Sequence, residues 1–363
     1  MSQGTPTYVG LDVSKQAINV AIHRPDGTLD EDRVANTLEA VRHLVSRWAD
    51  PATIRACYEA GPTGYILYRW LTDLGISCTV IAPSLTPRRP GERIKTDRRD
   101  ARKLAGLFRA DELTAVRVPT EAEEAARDLL RARDDAREDR NRARQRLSHF
   151  LLRHGRTYAD GTAWTGRHRA WLARQRFEDP MLQGTLDHYR TSVDLRTTEL
   201  ARLDGAIVTV AASQPFRDDV AALSSLRGIG TLSALTLVVE VGDFRRFRRA
   251  GEFMAFVGLV PSERSSGDRR RQGSITKTGN RFVRRILVEA AWNATRKPNL
   301  GPAFARRTSG QPTDTVAIAA RAQTRLHDRY WHHIHHRKPP AVAAVAVARE
   351  LAGFCWALMV RPA

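Results

Sequence analysis

The chain has 363 residues and a formal net charge of +19, from 59 Lys and Arg against 40 Asp and Glu, an excess that favours a polyanionic partner. Three scattered cysteines, Cys57, Cys78 and Cys355, exclude a disulfide framework and a paired CxxC zinc site. No charged-then-apolar leader opens the chain, and its most apolar late stretch, 341–360, is interrupted by Arg349, Glu350 and Gly353, so the expectation is a buried helix there, no membrane partner and a cytoplasmic location.

Short apolar runs at Tyr8–Val13 and Ala17–His23, then the turn residues Pro25, Asp26 and Gly27 leading to a further strand, predict an antiparallel meander. Ile54–Tyr58 and Ser77–Ile81 predict two more strands with a helix from Thr63 to Leu74 between them, a βαβ unit that completes a mixed five-stranded sheet. From Glu121 the pattern turns to long helix. Ala122, Leu129, Ala136, Ala143 and Phe150 recur every seven residues with Ala125 and Ala132 beside them; a second helix repeats the device with Leu186, Val193, Leu200 and Ile207 on one line and Leu182, Tyr189, Leu203 and Val210 on the other. The expectation is a coiled-coil hairpin arm with a role in dimer contacts. From Pro215 the chain reads as helical, with one long polar loop between Pro261 and Gly279. The resulting division is an α/β domain over 1–118, a coiled-coil arm over 119–214 and an all-α C-terminal domain over 215–363.

Four carboxylates stand out in the first part. Asp12 lies within an apolar strand, and Glu59 ends a second strand at a sheet edge, where α/β proteins gather their sites. Asp97 and Asp100 follow Thr96, a helix N-cap by residue type, and share a helix face with Leu104 and Leu107 or Phe108. Acids on a core-facing stripe need compensation. Oxygen-only ligation points to Mg²⁺ or Mn²⁺ rather than zinc, and a pair of such ions is suited to phosphoryl transfer. The plainer reading pairs Asp97 or Asp100 with Arg98, Arg99 or Arg102 on a solvated helix; the four acids in this order favour metal-dependent phosphodiester chemistry.

Two basic segments mark the last part. Leu226-Arg227-Gly228-Ile229-Gly230 has the spacing both of a helix-hairpin-helix turn, whose backbone N–H groups meet a phosphate, and of an ordinary tight helix connection. Between Arg264 and Arg285 there are eight basic residues and one acidic one, the pattern of a phosphate-holding loop. Ser266, before Gly267, has cationic neighbours that lower the cost of an alkoxide, although a Ser-Gly pair alone reads as a turn and no nearby histidine offers a base. The histidines between His327 and His336 include His332, His333, His335 and His336; without a second ligand pair they do not read as a zinc site.

Four segments, GLDVSK (10–15), YEAGPTGY (58–65), RIKTDRRDARKLA (93–105) and GLVPSERSSGDRRRQGSITKTGN (258–280), together resemble the transposases of the insertion-sequence 110 family, which also includes pilin-gene invertases. The resemblance covers both ends of the chain; the middle is similar in kind only. It implies an RNase H/RuvC-like domain whose DEDD metal site falls on Asp12, Glu59, Asp97 and Asp100, and a C-terminal transposase domain whose nucleophile falls on Ser266, with Ser265 as runner-up. It also implies a bridge RNA that pairs with donor and target DNA, a homodimer assembling to a homotetramer with sites shared between subunits, and a bacterial, nucleoid-associated setting. Phosphate contacts are expected from Arg227, Gly228, Gly230, Arg269, Arg270, Arg271 and Lys277. The alternatives are a RuvC-like endonuclease or Holliday junction resolvase that needs the acids and no serine, and a non-catalytic nucleic-acid chaperone.

Overall fold

The computed structural model describes residues 5–48, 50–87, 97–264 and 271–360, which divide into two compact units, Met1–Val118 and Pro119–Ala363. In the first, β1 (Thr7–Val13), β2 (Ala17–His23) and β3 (Leu29–Ala35) form the meander. Its second turn is closed by Asp26, whose carboxylate accepts from the Thr28 N–H, and by Gly27 at φ 87°. After α1 (Leu38–Ser46), β4 (Ile54–Glu59), α2 (Ile66–Asp73) and β5 (Ser77–Ile81) extend the sheet to the order β3-β2-β1-β4-β5, with β1, β4 and β5 parallel. Helix α2 starts three residues later than the sequence predicts, because Gly64 adopts φ 66° in the preceding turn.

Strand alternation separates the two faces of this sheet. Val9, Leu11, Ile18, Val20, Ala56 and Tyr58 pack against α1 and α2. The opposite face carries Gly10, Ala21, Cys57 and Ile81, and is covered by α3 (Asp97–Arg109) through Ala101, Leu104 and Ala105.

The second unit begins with α4 (Glu121–Arg153), opened by a capping box between Thr120 and Glu123. After α5 (Gly166–Arg174), α6 (Pro180–Ala211) returns along α4. Leu186, Val193, Leu200, Leu203 and Ile207 are all buried. On α4 the apolar line behaves otherwise: Ala143 and Phe150 are buried, but Ala122, Ala125 and Ala132 are exposed, and the buried stripe of the first turns is Ala126 and Leu130. A straight helix drifts about 20° per heptad from a strict seven-residue line, and the start of α4 packs on the C-terminal helices as well as on α6.

Helices α7 (Arg217–Ser224), α8 (Thr231–Val241), α9 (Ala250–Phe256), α10 (Arg281–Ala291), α11 (Pro302–Thr308), α12 (Thr313–His335) and α13 (Pro340–Met359) build the remaining core. Helix α13 is long and apolar enough to cross a membrane by length and composition, yet Ala343, Ala344, Val347, Ala348, Leu351, Ala352 and Cys355 are buried against the other helices. The predicted polar loop is not all loop: β6 (Pro261–Glu263) and β7 (Gln272–Ile275) pair as an antiparallel hairpin.

Candidate active site

Asp12 and Glu59 stand near the carboxyl ends of adjacent parallel strands. Leu11 pairs with Tyr58, so the same register set forward by one residue brings Asp12 beside Glu59. Both belong to the face that α3 covers, since Asp12 is two residues from Gly10 and Glu59 two from Cys57. Both are partly exposed. The Thr86 hydroxyl donates to Glu59 Oε1 at 2.7 Å, which fixes one carboxylate oxygen. Beneath them the Cys57 thiol is completely buried, and burial pushes its pKa up, so it stays a neutral thiol.

Gly10 decides where α3 lies. A Cβ there would collide with the Ala101 carbonyl oxygen and the Ala105 backbone nitrogen, so the helix backbone rests directly on the strand, a use of strand glycine that no larger residue permits. Phe108 meets Tyr8 edge-on with ring centroids 5.7 Å apart, at the start of β1. Helix α3 therefore runs antiparallel to β1, and its first turn, with Asp97 and Asp100, is carried toward the strand end that holds Asp12. The docked stripe is Ala101, Leu104, Ala105 and Phe108. Asp100 is partly exposed and Asp97 exposed; they stand one helical turn before Ala101 and Leu104 on the same face.

Two of the three arginines flanking those aspartates, Arg98 and Arg102, pair with Glu31. Arg98 Nε lies 2.5 Å from Glu31 Oε2, and Arg102 donates to Glu31 Oε1 at 2.9 Å through Nε and 2.5 Å through a terminal nitrogen. Glu31, on β3, is held below its ordinary carboxylate pKa chiefly by the Arg102 hydrogen bond. It is this carboxylate, unremarkable in the sequence, that clamps α3 across the sheet. Asp12 and Glu59 thus neighbour each other at the strand ends and the first turn of α3 is directed toward that end, but among the described residues no three acidic, histidine or cysteine side chains are grouped so as to hold a metal ion. Thr96 lies outside the described residues.

Ser265, Ser266, Arg269 and Arg270 also lie outside the described residues, between β6 and β7; the strands that carry them are described. The Arg264 N–H donates to the Arg271 carbonyl at 2.9 Å, Thr276 N–H to Val260 at 2.9 Å and Lys277 N–H to Gly258 at 3.2 Å. Gly258 and Gly279 adopt φ 68° and Lys277 φ 54°. A Cβ on Gly258 would strike the Thr278 backbone, and one on Gly279 the Phe256 carbonyl. These positions need glycine both for conformation and for space.

Glu240 of α8 anchors the far end of this loop. Its side chain is 4% exposed, accepts from Asn280 Nδ2 at 2.6 Å and from Arg131 at 3.4 Å, and forms an ion pair with Arg127 at 3.8 Å. Asn280 also caps α10 by accepting from the Phe282 and Val283 N–H groups. The sequence offered a signal for this in the single charged residue of an otherwise uncharged helix.

In the glycine turn, Arg227 donates to the carbonyls of Arg296 and Lys297 at 3.2 and 2.8 Å, a structural use of the guanidinium. Gly228 has φ 92° and abuts Ala290 and Asn293. Gly230 opens α8 without a side-chain cap. In the histidine run, the His332 and His336 rings lie 4.2 Å apart near the end of α12.

Residues 220–306 match the model of the Transposase IS116/IS110/IS902 family, and residues 9–155 match that of the DEDD transposases of IS110. The chain is similar to the putative transposase y4qE of Sinorhizobium fredii, at 41% identity over 97% of this chain and 88% of the relative. It is also similar to the transposase for insertion sequence element IS1533 of Leptospira borgpetersenii, at 36% identity over 89% of this chain and 95% of the relative. A more distant likeness is to the transposase for insertion sequence element IS1111A of Coxiella burnetii, at 25% identity over 78% and 76%.

Proposed function

Because the chain belongs to the IS116/IS110/IS902 family of transposases, we propose that it cuts and rejoins DNA through a serine nucleophile in the β6–β7 hairpin, assisted by the acids of its first unit. The observation that supports this reading is the register that sets Asp12 and Glu59 on neighbouring parallel strands, with Gly10 allowing α3, which bears Asp97 and Asp100, to lie directly on β1. The donor set is all carboxylate oxygen, which fits Mg²⁺ or Mn²⁺; these four residues would hold the ion. Bound there, such an ion supplies positive charge to a phosphate in transfer.

The hydroxyl of Ser266, with Ser265 as the other candidate, attacks a backbone phosphorus. A serine–phosphate bond forms, one phosphate–sugar bond breaks, and the leaving sugar oxygen takes up a proton; a second DNA hydroxyl then reverses the step on a new partner. Arg269, Arg270, Arg271 and Lys277 hold the phosphate, as do the backbone amides around Gly228 and Gly230. The loop has no histidine, so the serine proton is accepted outside it, at the acid cluster, contributed by another subunit of a dimer that pairs into a tetramer. A bridge RNA pairing with donor and target supplies sequence choice, and the protein reads backbone and shape.

The test is a covalent protein–DNA adduct formed with RNA transcribed from the flanking DNA. Ser266→Ala should abolish it and leave RNA binding intact. A Ser266→Ala protein that exchanges strands at the wild-type rate overturns the serine step and favours a nuclease that uses the acids alone.

A further inference from the structure

The turn that joins α4 to α6 is more than a connector. Between Arg140 and Arg176 there are ten arginines, no lysine and one acid, Asp160, so a tenth of the chain holds nearly half of its net positive charge. The segment folds as a small head with its own core, Ala143, Leu147, Phe150, Leu172, Leu186 and Val193, ringed by Trp164, Trp171, Phe177 and Tyr189.

Trp164 is the centre of this head's surface. It is held at φ 67°, a conformation a bulky residue adopts only under constraint, with its backbone N–H donated to His168 Nδ1 at 3.0 Å. On one side of it opens a cleft of about 200 Å³ walled by Arg144, Arg169 and Arg190 over the apolar floor of Leu147 and Leu172. On the other a cleft of about 290 Å³ presents Asn141, Gln145, Ser148 and His149. Arg144 borders both, with its guanidinium 4.6 Å from the indole centroid. Its Nε is buried without a hydrogen-bond partner, and no carboxylate pairs with Arg144 or Arg169 among the described residues. Asp194 is the lone acid at the first cleft's wall, and Arg190 pairs weakly with Asp187 at 3.8 Å.

We infer that the head of the helical hairpin binds an unpaired nucleic-acid strand, with backbone phosphate in the arginine cleft, a base against Trp164, and base edges at the amide and hydroxyl side. Arginine forks match phosphate bidentately, and an indole beside a basic groove is the stacking platform of single-strand binders. An acidic polypeptide would use the cations but has no need of the indole or of the donors and acceptors beyond it. The inference rests on the proposed nucleic-acid chemistry of the chain only for the class of polymer.

The experiment uses the full chain and photoreactive homopolymers of thiothymidine and thiouridine, with peptide mapping of the crosslinks and affinity measured across a salt series. Crosslinks should fall on the peptide bearing Trp164, and the homopolymer that crosslinks better names the strand as DNA or RNA. Arg169→Glu, at an exposed position, should weaken single-strand binding about tenfold and lower the log–log salt slope by about 0.7 for each phosphate it leaves without a cation. Trp164→Ala should remove the crosslink and Trp164→Phe restore most of it, with melting of each variant checked against wild type. Crosslinks confined to other peptides, or an affinity and slope unmoved by Arg169→Glu, overturn the inference. So does displacement of the strand by polyglutamate as efficiently as by unlabelled homopolymer, which would assign the head to an acidic protein partner. A Ser266→Ala chain that exchanges strands at the wild-type rate while retaining the head crosslink counts against the serine reading alone.

Discussion

The acid edge of the first unit and the basic hairpin of the second are secured by different means. Asp12 and Glu59 sit on neighbouring strands whose spacing is set by main-chain hydrogen bonds, and α3 is seated by a backbone-on-backbone contact at Gly10. The β6–β7 hairpin has two short strands and depends on Gly258 and Gly279 in left-handed conformations and on the side chains of Asn280 and Glu240. The acid site is therefore robust to side-chain changes around it and sensitive to anything that lifts α3, whereas the loop is sensitive to single side chains far from its tip.

That contrast is open to attack from several directions. The largest effect is on chemistry: Asp12→Asn, which leaves the sheet intact, should slow adduct formation by about a hundredfold or more, roughly 3 kcal/mol of barrier. Mixing it with Ser266→Ala should restore part of the activity if sites are shared between subunits; no restoration would mean that each subunit carries a whole site. Next comes Glu240→Ala, which leaves the largely buried Arg127 without a carboxylate and Asn280 without its acceptor and should cost about 3–5 kcal/mol in denaturant unfolding, together with strand exchange. A variant that loses neither would mean the loop is held by its glycines alone.

Gly10→Val should cost about 1–3 kcal/mol through overpacking while abolishing activity out of proportion, because α3 must rise from β1; unaltered strand exchange would break the claim that α3 is positioned by contact with the strand. The smallest effect is that of pH on the Glu31 clamp. Its carboxyl pKa is depressed in the folded chain, so the stabilisation it gives is full above the ordinary carboxylate value and is lost as pH falls through the lower folded value. Glu31→Gln should therefore show a shallower decline of melting temperature on acidification than wild type, and parallel curves would remove Glu31 from the account of α3.

The five strands were legible because alternation and turn residues are local: Ala17–His23 and Ser77–Ile81 coincide with β2 and β5. So were the lines on α6, where packing follows a seven-residue period. The first half of α4 was not, because its burial is decided by helices far along the chain that contribute to the core around Ala126 and Leu130. Glu31 was invisible for the same reason: an acid on a polar edge strand looks solvated until α3 brings two arginines to it. Gly10 carried a readable signal, a glycine inside an apolar strand, that asks for a close neighbour without saying which.

The carboxylate of Glu240 also bears on how such chains can be recombined with one another. It is shared by Arg127 and Arg131 from α4 and by Asn280 at the head of α10, so the helical hairpin and the helices after Pro215 are joined through one buried charge. A fragment severed at Pro215 would expose it, and a chimera that borrowed another relative's hairpin would have to inherit both arginines with it. The natural seam for exchanging parts lies instead at Val118, where the chain's two compact units divide.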